Sequence, residues 1–284
     1  MEPMDLHTHS NMSDGTCTPS LLVEKAKAAG LGIVALTDHD CIQGIPEAME
    51  AGERLGIRVV PGLELDTEFH TELHMLGLGV DPQHPALQEF AARNAQRRQA
   101  RNEAILNQLA AAGVDVRPFF PAQHGTPTRL HVALALVAGG FAPTIGEAFR
   151  NYLFRGTPGY VETKRILPED AIALIHQAGG LAVLAHPCKV KADVAALVAR
   201  LHPAGLDGLE AFYPTATPGQ RDTYISMARQ YGMLLTCGSD FHGDNRPDNR
   251  LGCTWQQSPL LEPVSYTHLE PTRLALISYA VFCL

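Results

Sequence analysis

The sequence predicts an α/β fold in which parallel strands alternate with helices. Short apolar runs, such as residues 33–36 and 181–185, are typical of buried strands. Helical stretches that begin near a proline and end at a glycine separate these runs. Strand and helix repeat in units of about 25 to 30 residues, and this spacing favours a parallel sheet.

The first predicted strand covers residues 4–10 and carries His7 and His9. Side chains alternate along a strand, so both imidazoles point to one face while Thr8 points to the other. Asp14 follows in the next loop. Two histidines and a carboxylate at a strand end are a common way to bind a divalent cation, although this pattern alone is weak evidence.

Five further elements are predicted before residue 81. Thr18 caps a first helix that has Pro19 at its first position and ends at Gly30. The others are a strand over 33–36, a helix over 44–55 that stops at Gly56, and strands over 58–65 and 73–78.

The alternation stops near Pro82. One long helical pattern covers residues 87–112, and two shorter ones follow up to residue 154, with no apolar run comparable to the predicted strands. We interpret residues 82–157 as a helical insertion that covers one end of an α/β core made of residues 1–81 and 158–255. The tail, residues 256–284, has no cluster of ligand-type residues and is given no function.

Strands and helices alternate again after the insertion. A helix that begins at Pro168 leads into the strand over 181–185, which ends at His186. The last strand, over 234–238, ends in Asp240 and His242. Between them the sequence predicts a helix over 194–201, a strand over 208–212 and a helix that ends at Tyr231.

Composition excludes several classes of protein. With 45% hydrophobic residues the chain can bury a large core, and its net charge of −8 argues against binding duplex DNA or RNA through a basic surface. The six cysteines are scattered without a C-x-x-C pair, and no secretory signal opens the sequence, so we expect a reducing, cytoplasmic setting. No apolar run reaches the roughly 18 residues of a membrane span.

Residues that bind metals recur where the apolar runs end. In parallel α/β barrels the carboxyl ends of the strands share one rim, so these side chains are expected to meet there. Three carboxylates and six imidazoles exceed what one cation needs, which predicts two or three divalent ions bridged by Glu64. The candidate ligands are His7, His9, Asp14, His39, Glu64, His74, His186, Asp240 and His242.

The donor atoms indicate both the metal and the chemistry. Nitrogen and oxygen ligands without cysteine suit manganese, iron or zinc better than copper. Structural metal sites tend to be closed and rich in cysteine, which this set is not. Paired cations lower the pKa of a bridging water and hold both oxygens of an in-line displacement at phosphorus, so a phosphate ester is the expected substrate.

Six ordered motifs carry a resemblance to a known family. They are Asp5-Leu6-His7-Thr8-His9-Ser10, Ser13-Asp14-Gly15, Thr37-Asp38-His39-Asp40, Pro61-Gly62-Leu63-Glu64, Leu184-Ala185-His186-Pro187 and Gly238-Ser239-Asp240-Phe241-His242. Together they resemble the polymerase-and-histidinol-phosphatase (PHP) family of metal-dependent phosphoesterases. The resemblance implies a distorted (β/α)7 barrel with a helical insertion and a centre of two or three metal ions, often manganese.

The resemblance also implies how the ligands are shared. It assigns His7, His9, Glu64 and Asp240 to one metal. It assigns Glu64, His74 and His186 to a second metal, and Asp14, His39 and His242 to a third. Asp38 and Asp40 flank a ligand, and we expect them to orient it.

The start of the chain and the helical insertion are most similar to family members that act on nucleoside 3′,5′-bisphosphates. Those members remove the 3′-phosphate to leave a 5′-nucleotide through a metal-bridging hydroxide, and some relatives trim short RNA from its 5′ end. A second phosphate requires cations beyond the metals. Arg129 and Lys164 are the candidates, with His131 beside them, because arginine binds phosphate in a bidentate manner and lysine acts as a point charge.

Several alternatives remain open. The enzyme could be a 5′-3′ exoribonuclease on short RNA, or a phosphatase of another small ester such as histidinol phosphate. A non-enzymatic alternative is a degenerate PHP barrel that only binds a ligand; loss of metal ligands would favour it, and none of the nine positions is missing. The long helix carries Arg93, Arg97 and Arg101 four residues apart, and we expect a solvated face there rather than a funnel for anions.

Overall fold

Seven strands in sequential order form a single curved sheet in the computed structural model, which describes residues 2–120, 125 and 128–255. The predicted tail therefore lies outside the described residues. The strands are β1 (Met4–Asp5), β2 (Ile33–Leu36), β3 (Arg58–Asp66), β4 (His74–Leu78), β5 (Leu181–Leu184), β6 (Gly208–Phe212) and β7 (Leu234–Cys237).

The two edges of the sheet meet and nearly close a barrel. The backbone N–H of Leu6, just after β1, donates to the Cys237 carbonyl at the end of β7 over 3.0 Å. The Asp240 N–H donates to the His7 carbonyl over 2.9 Å, and Thr8 bridges to Phe241 in parallel. The predicted distorted (β/α)7 barrel is therefore confirmed.

Helices cover the outside of the sheet. Those next to the strands are α1 (Pro19–Ala28), α2 (Ile45–Leu55), α6 (Pro168–Gln177), α7 (Val194–Leu201) and α8 (Pro218–Tyr231). Between β4 and α6 lie α3 (Pro85–Ala111), α4 (Arg129–Ala138), α5 (Ile145–Ala148) and a π-helix (Phe149–Leu153). Short 3₁₀ turns cover Arg117–Phe119, Pro187–Lys189, His202–Ala204 and Gly243–Asn245.

The predicted helix ends agree with the structure. The Thr18 hydroxyl caps α1 by accepting from the Leu21 N–H, and Gly56 ends α2 with a φ of +62°, a conformation that glycine adopts without strain. The first strand is shorter than predicted, because only Met4–Asp5 pairs regularly with β2. Thr8 still anchors the extended chain through its hydroxyl, which donates to the Ala35 carbonyl over 2.6 Å.

The expectation of an all-parallel sheet is wrong at β4, which runs antiparallel to both β3 and β5. Only a short turn joins β3 to β4, and a parallel connection would need a long crossover. The sequence analysis placed His74 at the end of a strand. In the structure His74 is instead the first residue of β4. The reversal brings His74 opposite Asp66 at the end of β3, so it still reaches the rim that carries the other ligands.

Two hydrophobic clusters hold the long helix α3 in place. Leu87 and Phe90, in its first half, belong to the core of the barrel. Ile105 and Leu109, in its second half, pack with α4 in a separate cluster. This separate cluster supports the interpretation of residues 82–157 as an insertion, although the boundaries themselves stay a prediction.

The predicted solvated face of α3 is only partly right. The Arg93 side chain is 70% exposed, as expected. Arg98 and Arg101 are buried at 5% and 6% exposure, because the helix turns Asn94, Arg98 and Arg101 toward the barrel rim. Cys17, Cys188, Cys237 and Cys253 are free thiols. Among the described residues, no helix combines the length and the hydrophobicity that a membrane span requires.

Candidate metal centre

All nine predicted ligands lie at one rim of the barrel and are buried. Their donor atoms form three groups, and within each group all the donor atoms lie within 4.8 Å of one another. These groups are His7, His9, Glu64 and Asp240; His39, Glu64 and His74; and His9, Asp14, His39 and His242. The first group is the set that the resemblance assigned to one metal. The second group contains His39 in place of the assigned His186, which is in none of the three groups, and the third group adds His9 to its assigned set.

Glu64 lies at the centre of this arrangement. Its Oε1 is 2.8 Å from His74 Nδ1 and 2.9 Å from His186 Nε2. Its Oε2 is 3.2 Å from His9 Nε2 and 3.3 Å from His7 Nε2. One carboxylate therefore faces histidines on both sides, and Glu64 could contribute an oxygen to each of two neighbouring metal sites.

Several nitrogen atoms of the centre lack hydrogen-bond partners, although buried polar atoms normally have them. Among the described residues, ring nitrogens of His9, His39, His186 and His242 are buried without a partner. The Nε2 atoms of His7 and His9 approach each other to 3.1 Å, so both aim at the same region. This donor set fits divalent cations, which would satisfy these nitrogens and offset the charge of the carboxylates.

The pKa values of the histidines in the centre are shifted in opposite directions. Burial lowers the pKa of His39 to about 3 even though Glu64 and Asp14 are close, so this ring is neutral and able to coordinate. Burial also opposes protonation of His9, but Asp240 and Glu64 outweigh it and raise its pKa to about 9. The surrounding histidines hold the pKa of Glu64 well below its usual range despite burial. Cation binding at His9 would therefore compete with a proton.

The backbone of the centre is strained at three places. Asp40, His186 and Asp240 have φ values of +49°, +29° and +53°, and they are the only described residues other than glycine with positive φ. Such conformations cost on the order of 1–3 kcal/mol each and persist where the surroundings impose them. All three lie just beyond β2, β5 and β7, where the chain turns to aim side chains at the rim.

Glu210 holds two of the ligands from behind. It is fully buried on β6, and its Oε1 is 2.9 Å from His7 Nδ1. Its Oε2 accepts from the His186 N–H over 2.6 Å. A Cβ at residue 238 would come within 2.2 Å of Glu210 Oε1, so this close approach requires Gly238. Sequence reasoning missed Glu210. A usable signal existed, since a glutamate inside an apolar strand is expected to be buried and buried glutamates are rarely unpaired.

Asp38 orients the loop that carries Asp14. Its two oxygens accept from the Ser10 N–H at 2.8 Å, the Ser10 hydroxyl at 2.6 Å and the Ser13 hydroxyl at 2.6 Å. These bonds fix the loop between His9 and Asp14. Asp38 was expected to orient His39, but the hydrogen bonds of its side chain fix the loop that carries Asp14 instead.

A chain of ion pairs links α3 to the centre. Arg98 donates from Nε to Asp40 over 2.9 Å and lies 3.6 Å from Asp66. The other oxygen of Asp66 is 3.5 Å from His74 Nε2, and Arg165 Nε is 3.1 Å from Asp66. His74 is thus held by Glu64 on one side and by a carboxylate tied to the long helix on the other.

A cavity of about 590 Å³ opens above the centre. It is lined by Asp14, His39, Asp66, Glu72, His74, Arg98, Arg101, Thr128, Arg129, Leu130, Ile145, Gly146, Phe149, Phe154, Lys189, Asn245 and Arg246. This volume is within the range of small-molecule sites, and both metal ligands and cationic side chains face it.

The predicted substrate-binding residues are separated by the structure. Arg129 lines the cavity. Lys164 is exposed, and neither it nor His131 is among the described residues that line the cavity. His131 instead caps α4, where its Nδ1 accepts from the Thr128 N–H over 3.0 Å.

Four cavity cations were not singled out by the sequence as substrate contacts: Arg98, Arg101, Lys189 and Arg246. Lys189 Nζ is 3.1 Å from Asp240 Oδ2, which Arg246 also contacts. Burial and the neighbouring guanidinium groups of Arg98 and Arg129 lower the pKa of Arg101 to about 9. Cations crowded in this way favour an anionic ligand. No sequence pattern marks them, since they meet only through the fold.

Comparisons with known proteins agree with this geometry. Residues 5–178 match the PHP domain family. The chain is similar to the 5′-3′ exoribonuclease Rnm of Salmonella typhimurium, at 39% identity over 249 residues that cover 84% of each protein. It is similar to the 3′,5′-nucleoside bisphosphate phosphatase of Chromobacterium violaceum, at 33% identity over 273 residues that cover 93% of this chain and 95% of that one.

A solved structure shows the same fold. An amidohydrolase from Chromobacterium violaceum, with bound sulfate and no metal, superposes with a TM-score of 0.82 at 32% identity. The match covers 92% of this chain and 94% of that one.

Replacing Glu210 should weaken metal binding. In Glu210→Gln the single amide oxygen can accept from the His7 ring or from the His186 N–H, but not from both, so one ligand loses its support. Loss of such a partner typically costs about 10- to 100-fold in metal affinity. Calorimetric titration with Mn²⁺, together with elemental analysis after dialysis, measures the change.

Asp207→Asn is the matched control. Asp207 likewise contacts a histidine and a backbone N–H, those of His176 and Ala182, each at 2.7 Å, but outside the metal centre. Its replacement should leave metal affinity and stoichiometry unchanged. Equal Mn²⁺ affinity in wild type and Glu210→Gln, or equal losses in both variants, would contradict the role assigned to Glu210.

Proposed function

Because the chain belongs to the PHP family and is a hydrolase of phosphate esters, we propose that it removes the 3′-phosphate from nucleoside 3′,5′-bisphosphates and leaves a 5′-nucleotide. One observation carries the proposal: eight candidate metal ligands, with His186 in contact with Glu64, lie below a cavity that contains more cations than one phosphate requires. The bisphosphate phosphatase from Chromobacterium violaceum aligns along nearly the whole chain, which supports the same substrate class.

The ligands would hold two or three divalent cations, with manganese proposed first and iron or zinc as alternatives. His7, His9, Glu64 and Asp240 would hold the first. Glu64, His74 and His186 would hold the second, and Asp14, His39 and His242 the third. Bound cations would neutralise the phosphate and activate water for an in-line displacement.

Different cationic side chains of the cavity would bind the two phosphates of the substrate. Lys189 and Arg246 flank Asp240 at the cavity floor, where their positive charge would orient the phosphate that is cleaved. Arg101 and Arg129 lie on α3 and α4, and they would bind the second phosphate. Burial strengthens such contacts, since charges in a partly dry cavity are screened less than on the surface.

A second candidate is 5′-3′ exoribonuclease activity on short RNA. Similarity to the Salmonella exoribonuclease at 39% identity favours it, and the same cavity would then hold the 5′ end of a strand. Histidinol phosphate fits less well, because it has one phosphate and leaves Arg101 and Arg129 without a role. A degenerate binding module is disfavoured because all nine candidate ligands are present, eight of them in clusters of donor atoms and His186 in contact with Glu64.

A substrate panel tests the proposal directly. Protein loaded with Mn²⁺ should release phosphate from adenosine 3′,5′-bisphosphate at least tenfold faster than from histidinol phosphate, and EDTA should abolish the reaction. Phosphate release and the chain length of a 3′-labelled short RNA are measured in parallel, so that monoester and diester cleavage are separated. Asp240→Asn is the control for contaminating phosphatases.

No release from the bisphosphate by the metal-loaded protein, with stepwise shortening of the RNA, would replace the first proposal by the second. Inactivity on every substrate would support the binding module. Activity that survives in Asp240→Asn would show that the measured phosphatase is not this protein.

Arg129→Ala should raise the KM for the bisphosphate without changing metal content. A charge-assisted hydrogen bond is worth about 1.5–3 kcal/mol, which corresponds to roughly 10- to 150-fold. Lys164→Ala should change KM much less, because the Lys164 side chain is exposed outside the cavity lining. Steady-state kinetics with metal analysis measure both, and a larger effect of Lys164→Ala would overturn this assignment.

A further inference from the structure

The large apolar residues that line the cavity come from one part of the chain. The metal ligands and Lys189 come from the barrel, whereas every large apolar lining residue comes from the helical segment between β4 and α6, which also contributes Arg98, Arg101 and Arg129. Those residues are Leu130, Ile145, Phe149 and Phe154. A ligand that fills this cavity therefore combines an anionic end with an uncharged, apolar end.

Phe154 is unusually exposed for a large aromatic residue. Its exposure is 52%, and it is among the residues that line the cavity. Its ring centroid is 6.0 Å from that of Phe149, at an interplanar angle of 41°. The Arg129 guanidinium carbon lies 5.9 Å from the Phe149 centroid, so a cation borders the aromatic pair.

Local backbone structure accounts for the position of Phe154. The π-helix Phe149–Leu153 ends at this residue, whose N–H donates to the Phe149 carbonyl over 3.0 Å and whose backbone is extended. π-Helical turns are rare and are often found at functional sites. Gly146 adds space nearby, since no atom lies within 4 Å of the position that a Cβ would occupy there.

We propose that Phe154, supported by Phe149, binds the nucleobase of the substrate by stacking. This inference rests on the proposed function and adds its substrate class, nucleotides in preference to sugar phosphates. The charge and shape of the cavity favour a nucleotide. Its flat, uncharged base suits the aromatic pair, and its phosphates would bind Arg129 and the metal centre. Stacking on an aromatic ring accepts every base, so recognition is tolerant of base identity.

Binding of AMP and of ribose 5-phosphate distinguishes the base from the rest of the ligand. Both compounds carry the same sugar phosphate, and only AMP has a base to stack. Stacking is worth about 1–3 kcal/mol per base, so Phe154→Ala should weaken AMP binding by roughly 5- to 150-fold and leave ribose 5-phosphate unchanged. Phe154→Trp should restore AMP binding. Calorimetry of the metal-loaded protein gives all these affinities.

Phe119→Ala is the matched control. Phe119 is another exposed phenylalanine of the helical segment, at 43% exposure, and it is not among the described residues that line the cavity. Its replacement should leave both affinities unchanged. Thermal unfolding of each variant confirms that the fold is intact.

The stacking site is overturned if wild type binds AMP and ribose 5-phosphate equally, or if Phe154→Ala weakens both to the same extent. GMP, CMP and UMP should each lose affinity in Phe154→Ala as AMP does, and a loss confined to one base would also overturn it. Failure of the proposed function is a separate result. If Phe154→Ala weakens binding of AMP but not of ribose 5-phosphate, and the wild type releases no phosphate from the bisphosphate, the stacking site is retained and the 3′-phosphatase is rejected.

Discussion

The shared carboxylate of Glu64 is the constraint on which the rest of the centre depends. Its two oxygens contact His74 and His186 on one side and His7 and His9 on the other. Burying this many ionisable groups is costly unless their charges are balanced. Without cations, the pKa of Glu64 is held low by the histidines, and His9 gains a proton affinity that burial alone would remove. Cations bound at two or more positions among these donors would balance the charge of the buried carboxylates.

The barrel topology brings these donors together from distant parts of the chain. Six strands deliver their carboxyl ends to one rim, and β4 delivers its amino end because it runs the opposite way. Support comes from residues outside the set of candidate ligands. Glu210 holds His7 and the backbone of His186, Asp38 holds the loop of Asp14, and Asp66 connects His74 to Arg98 on α3. The long helix therefore contributes both to the cavity wall and to the position of a ligand.

Sequence reasoning could identify the ligands because each lies next to an apolar run, and position in a parallel fold then implies a common rim. It could not give the direction of β4, since a strand has no directional signature and only the brevity of the 67–73 turn distinguished the two cases. It assigned Arg101 to solvent because arginines four apart share a helix face without revealing what that face meets. Lys189, Arg246 and Phe154 join the site through the packing of separate segments, which no local pattern records. Glu210 differs from these residues. It was missed, but its position within an apolar strand indicates that it has a buried partner.

The most direct test of the account is a crystal structure of the protein soaked in Mn²⁺, with anomalous scattering measured at the manganese edge. The account predicts at least two anomalous peaks at the rim, with Glu64 within coordination distance of two of them and His7, His9 and Asp240 around one. A single peak that Glu64 does not touch, or peaks away from the rim altogether, would contradict the central claim.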